Sequence, residues 1–136
     1  MIVGLGNDLV DIRRIERMLV RYGERFIQRI FTDVERNRSG NLKKSSSSYA
    51  KRFAAKEACA KALGTGIAYG INWKDMGVVN LPSGKPIMQL TNRAQVQLQK
   101  LLPPHYEAVI HLSITDDFPW AQAFIIIEAF PRGEIA

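Results

Sequence analysis

Ala108-Val109-Ile110-His111-Leu112-Ser113-Ile114-Thr115 decides the fold. Ala108, Ile110, Leu112 and Ile114 fall on one side of an extended chain, and Val109, His111, Ser113 and Thr115 fall on the other. This period of two marks a strand with one face on a core. Asp116 to Pro119 then reads as a turn, and the residues through Ile127 as a buried returning strand, so the C-terminal part is a hairpin. Upstream, Thr91 is placed to cap a helix carrying Ala94, Leu98 and Leu101 on one face and ended by Pro103-Pro104. Earlier still, strands at about Gly77 to Leu81 and Pro86 to Leu90 flank the turn Pro82-Ser83-Gly84-Lys85. Tyr49 to Leu63 is rich in strong helix formers and stops at Gly64. Residues 39 to 48 are polar and read as a loop. At the N-terminus, Ile2 to Leu5 reads as a short strand closed by Gly6, and Asp8 to about Tyr22 as a helix. Ile12, Ile15 and Leu19 share one stripe of that helix, and Arg13, Arg17 and Arg21 another. The order predicts an α+β fold, with a largely antiparallel sheet packed against helices.

At 136 residues the chain is expected to form a single domain spanning 1–136. Hydrophobic residues make up 46% and charged residues 24%, the balance of a soluble globular protein. The longest apolar stretch, Ala123 to Ile127, falls far short of the ~20 residues a membrane helix needs. The N-terminus shows no export signal, so a cytoplasmic address and no membrane partner are expected. A net charge of +6 predicts attraction to polyanions: nucleic acid, phosphorylated cofactors or an acidic protein. The single cysteine, Cys59, lies in an alanine-rich helical pattern and reads as packing.

Three segments offer chemistry. Gly4-Leu5-Gly6-Asn7-Asp8 reads as a turn from strand to helix that delivers a carboxylate, although Asp8 also suits a plain helix-capping role. It lacks the third glycine of a dinucleotide fingerprint. In Arg52-Phe53-Ala54-Ala55-Lys56-Glu57-Ala58-Cys59-Ala60-Lys61, residues Phe53, Glu57 and Lys61 recur every four positions and share one helix face. Glu57 and Lys61 alone make an ordinary surface pair worth ~0.2–0.5 kcal/mol; the surrounding alanines would also let a bulky ligand approach closely. His111-Leu112-Ser113 places a histidine on a strand, with no nucleophile and base at triad spacing. One Cys and two His exclude a standard zinc knuckle.

Together with Lys61-Ala62-Leu63-Gly64-Thr65-Gly66 and Gly84-Lys85-Pro86, these segments resemble the bacterial holo-acyl-carrier-protein synthase family, the small phosphopantetheinyl transferases. The resemblance spans nearly the whole chain in the family's order; Asn7 stands where Thr or Ser is frequent, and Leu112 where Val is frequent. It implies the 4′-phosphopantetheinyl transferase fold and transfer of the 4′-phosphopantetheine arm of coenzyme A to a serine of acyl carrier protein. Adenosine 3′,5′-bisphosphate leaves, and the reaction supports fatty-acid synthesis. By this resemblance Asp8 and Glu57 are the metal ligands, and the metal is magnesium. Glu57, directly or through a bound water, takes the serine proton, and Lys61 stabilises phosphate. Arg52, Lys61, Gly84, Lys85, Pro86 and His111 bind the coenzyme. Arg14, Met18, Arg21, Arg25 and Phe26 match the surface that docks acyl carrier protein. The family is typically trimeric, with sites at subunit boundaries. Nucleic-acid binding is the competing reading of the basic helix, but neither a recognition motif nor an aromatic stacking platform accompanies it, so no nucleic-acid partner is expected.

Overall fold

The structure, a computed structural model, describes residues 1–40, 45–67 and 70–133. Three strands form the main sheet: β1 (Ile2–Asp11), β4 (Tyr106–Asp117) and β5 (Trp120–Pro131), with β5 central and antiparallel to both neighbours. A second antiparallel pair, β2 (Met76–Asn80) and β3 (Pro86–Leu90), follows a single 3-10 turn at Trp73–Asp75. Among the described residues five helices accompany them: α1 (Ile12–Tyr22), α2 (Glu24–Ile30), α3 (Asp33–Ser39), α4 (Ser45–Ala62) and α5 (Asn92–Leu101). The α+β class, both hairpins and the antiparallel sheet are as the sequence predicts.

The helix α4 is the centre of the molecule. It buries residues on every side, among them Ala50, Phe53, Ala54, Ala58 and Cys59, which is the pattern of an enclosed helix rather than a surface one. Inward-facing Ala123, Ile125 and Ile127 of β5 meet it from the sheet. Burial pushes the Cys59 thiol up to about 12, in keeping with a packing role.

The N-terminal reading needs correction. The strand β1 does not end at Gly6 but runs on to Asp11, so Asp8 lies within a strand and not at a helix start. The N-cap of α1 is Asp11, whose Oδ1 accepts from the Arg13 backbone N–H at 2.9 Å. The Arg13 side chain on the same carboxylate holds its pKa down to about 2. The glycines serve packing within the strand instead of a turn. Residues 39 to 48 are also shorter as a loop than expected: α3 reaches Ser39 and α4 begins at Ser45, while 41–44 lie outside the described residues. The serines join the helix because Ser48 Oγ meets Ser39 Oγ at 2.8 Å and accepts from Arg52 one turn on. Thr91 does sit at the N-cap of α5, but its side chain makes no capping bond.

A buried ion pair ties the helices to the β2–β3 hairpin. Lys56 Nζ lies 2.7 Å from Glu35 Oε1, both side chains are fully enclosed, and the ammonium also donates to the carbonyls of Met76 and Trp73. The Glu35 carboxylate accepts from the backbone of Thr32 and Val78. Every polar group of this buried cluster thus has partners, the condition under which such a pair is tolerated.

Candidate active site

From Gly4 onward the even-numbered residues of β1 face α4, and two of them are glycine. A Cβ on Gly6 would stand 1.8 Å from the Ala58 carbonyl oxygen, and one on Gly4 2.4 Å from that of Ala62. No side chain fits there, so helix and strand meet backbone to backbone. Asp8 follows Gly6 on the same face, while Glu57 and Lys61 flank Ala58 along the helix. The glycine contact therefore delivers one carboxylate to the other.

Lys61 Nζ donates to Asp8 Oδ1 at 3.1 Å and to the Asn7 carbonyl at 2.9 Å. The Asp8 side chain is 16% exposed and that of Lys61 51%. Burial pushes the Glu57 carboxyl above its ordinary 4.5, the Asp8 charge adds to this, and Lys61 and Arg14 oppose it. A half-buried carboxylate of raised basicity beside a second carboxylate and a half-exposed ammonium suits proton removal next to bound phosphate.

A second group assembles where the β2–β3 turn approaches α4. Arg52, Gly84 and Pro86 line a cleft of about 280 Å³ together with Arg38, Ser48 and Lys51. Arg52 is 4% exposed. Its Nη1 donates to the Ser48 carbonyl and hydroxyl and its Nη2 to Asn80 Oδ1, while Nε has no partner among the described residues. Burial pushes its pKa below the usual value, Glu35 opposes this and Arg38 adds to it. Three cations around a small cleft, one held rigid, suit a phosphorylated ligand. Lys85 is exposed at the tip of the turn. Sequence reasoning missed Arg38, Ser48 and Lys51; the only cue was Ser48, placed one helical turn before Arg52.

His111 does not join this cleft within one chain. It lies on the outer face of the main sheet, where its Nε2 meets Glu128 Oε1 at 2.7 Å. A groove of about 370 Å³ on that face is lined by His111, Ser113, Gln122, Phe124 and Ile126. A cavity of about 570 Å³ between β3, α5 and β4 contains none of the site residues expected from sequence.

The residues expected to dock a partner sit on α1 and α2. Met18, Arg25 and Phe26 line a groove of about 350 Å³ with Tyr22 and Arg29, two residues that sequence reasoning missed. Arg21 stacks over Tyr22, 5.4 Å from the ring centroid. Phe26 differs from expectation: at 6% exposed it is a core residue that forms the floor of the groove, because α2 packs its apolar side inward. Arg14 lies 5.7 Å over the Phe53 ring, and its charge acts on Glu57, so this basic surface adjoins the carboxylates.

Among the described residues no three His, Cys, Asp or Glu side chains gather around a point. Two carboxylates fit an ion of the magnesium kind, which keeps waters and takes its remaining ligands from phosphate oxygens. They do not fit a caged structural metal. No helix among the described residues is long and apolar enough to cross a membrane.

The chain has relatives among known proteins. Residues 4–123 match the model of the 4′-phosphopantetheinyl transferase superfamily, and the chain belongs to that family. Its relatives there are holo-[acyl-carrier-protein] synthases. It is 92% identical to that of Bartonella tribocorum and 86% identical to that of Bartonella henselae, each match covering 98% of this chain and 100% of the relative. The crystal structure of a holo-(acyl-carrier-protein) synthase from Bacillus anthracis in complex with CoA (3′,5′-ADP) is 36% identical, with a TM-score of 0.75, over 94% of this chain and 97% of that one.

Proposed function

We propose that this chain, as one domain over 1–136, transfers the 4′-phosphopantetheine arm of coenzyme A to a serine hydroxyl of apo-acyl carrier protein. Adenosine 3′,5′-bisphosphate leaves, and the holo carrier serves fatty-acid synthesis in the cytoplasm. The observation that carries the reading is the meeting of Asp8, Glu57 and Lys61 at the glycine contact between β1 and α4. Glu57 takes the proton of the attacking serine, a task for which its raised basicity suits it. Lys61 holds negative charge on the diphosphate as the bond to the leaving nucleotide breaks. Arg52, with Gly84, Lys85 and Pro86, holds the nucleotide and orients the diphosphate for in-line attack. Asp8 and Glu57 would hold magnesium, which when bound supplies charge neutralisation on the diphosphate. Arg14, Met18, Arg21 and Arg25 receive the acidic carrier, with Phe26 beneath them, and present its serine to Glu57.

The outer face of the main sheet supports assembly. Leu5, Leu9 and Phe124 are 60%, 55% and 39% exposed on one continuous surface, an apolar area suited to contact with other copies. His111 shares that face, so a homotrimer of the kind the family resemblance implies would bring it to a neighbour's coenzyme. The deciding experiment incubates the protein with apo-acyl carrier protein, coenzyme A and magnesium, and weighs the intact carrier. Addition of one phosphopantetheine is the expected result; an unchanged mass with well-folded protein rejects the function.

A further inference from the structure

Within this chain Asp8 is paired with a side-chain cation. Lys61 Nζ sits 3.1 Å from Asp8 Oδ1 and is fixed a second time by the Asn7 carbonyl at 2.9 Å. Of the two partners, Asp8 is the one enclosed, while Lys61 has half its side chain in solvent and can swing away at little cost in burial. The same helix carries Glu57 one turn earlier, so the ammonium borders both carboxylates that the reading above gives to magnesium.

Resting on that reading, we propose that Lys61 is a tethered monovalent cation that guards Asp8 against divalent ions until the coenzyme arrives. Lys61 and a divalent ion compete for the same carboxylate. The diphosphate of coenzyme A resolves the competition, because it accepts the ammonium and at the same moment offers oxygen ligands to the ion. Divalent ion and coenzyme therefore bind with positive coupling, and by linkage each strengthens the other by the same factor. Phosphate oxygens alone would give some coupling; the share owed to Lys61 is the part that disappears with its charge. The free enzyme stays sparsely loaded, and loading follows the substrate.

The test is direct binding of Mn²⁺, a paramagnetic substitute for magnesium, to the full-length chain, followed by loss of the free-ion electron paramagnetic resonance signal, with and without coenzyme A. Lys61→Met should bind Mn²⁺ about fivefold more tightly than the unmodified protein when coenzyme is absent. The tightening that coenzyme brings should shrink by a similar factor. Lys61→Arg, which keeps a cation within reach, should stay close to the unmodified protein. Arg14→Gln removes an equal charge near Glu57 without touching Asp8, and should shift Mn²⁺ affinity by less than about twofold. Equal or weaker binding by Lys61→Met overturns the proposal, as does an equal gain from Arg14→Gln, which would reduce the effect to net charge. If the unmodified protein binds no Mn²⁺ even with coenzyme A, the metal reading itself falls, an outcome distinct from loss of the lysine effect alone.

Discussion

Glu57 sits where its ionised form is disfavoured, first by burial and then by the charge of Asp8. A carboxyl whose pKa is higher in the folded than in the unfolded chain binds more protons when folded. Its contribution is therefore fully present below the unfolded value of about 4.5 and is lost as pH rises through the folded one. At neutral pH the group is a net burden on stability. Glu57→Gln should raise the melting temperature at pH 7 while abolishing transfer, and the stability gain should vanish below about pH 4. Calorimetry across that range checks the sign; a loss of stability at neutral pH would show that the site compensates Glu57 better than its surroundings indicate. At this scale the sequence is informative about proximity: Asp8, Glu57 and Lys61, candidates by residue type and spacing, lie close together. Arg38 and Lys51 were not legible, since nothing in a linear text says that the ends of α3 and α4 face the β2–β3 turn.

Elements were read well where periodicity was clean, as in β4 and the β2–β3 hairpin, and badly where packing overrode local preference. Gly4 and Gly6 look like a turn because glycine usually marks one. In the fold they are the flat part of a strand against which α4 lies, a reason that only a long-range contact supplies. The buried Lys56–Glu35 pair is equally hidden, since nothing in the sequence says that Lys56, set among alanines, and Glu35, set among polar residues, meet in the interior. Burial pushes the Lys56 pKa down and Glu35 opposes it. Lys56→Met would leave the Glu35 charge buried without a partner, and should cost about 3–5 kcal/mol by urea unfolding. Adding Glu35→Gln should recover part of that loss. If the double variant is no more stable than Lys56→Met alone, the pair is not the unit that joins α3 and α4 to the hairpin.

For the molecule as a whole, the two faces of the main sheet have different work. The inner face packs against α4; the outer face is exposed and carries Leu5, Leu9 and Phe124 among polar residues, with His111. Charges placed there, as in Leu5→Asp with Phe124→Glu, should leave the single-chain fold intact, because neither side chain faces α4. They should dissociate the assembly and lower turnover in step, measured by sedimentation velocity and the carrier-mass assay. A dissociated form that keeps full activity would make each copy self-sufficient. The overall class is legible from strand order, but the exposure of Leu5 and Phe124 is not, because in sequence each looks like any core residue.

His111 lies on the outer face of the main sheet, whereas Glu57 belongs to the helix packed against the inner face. In the proposed homotrimer, with subunits exchanging freely, each reaction centre would draw its histidine and its glutamate from different chains. Dilution with a chain defective at both positions would therefore reduce output as the square of the intact fraction, whereas dilution with a chain defective at one position would reduce it only in proportion. A mixed-allele cell would feel the first kind of lesion as partly dominant.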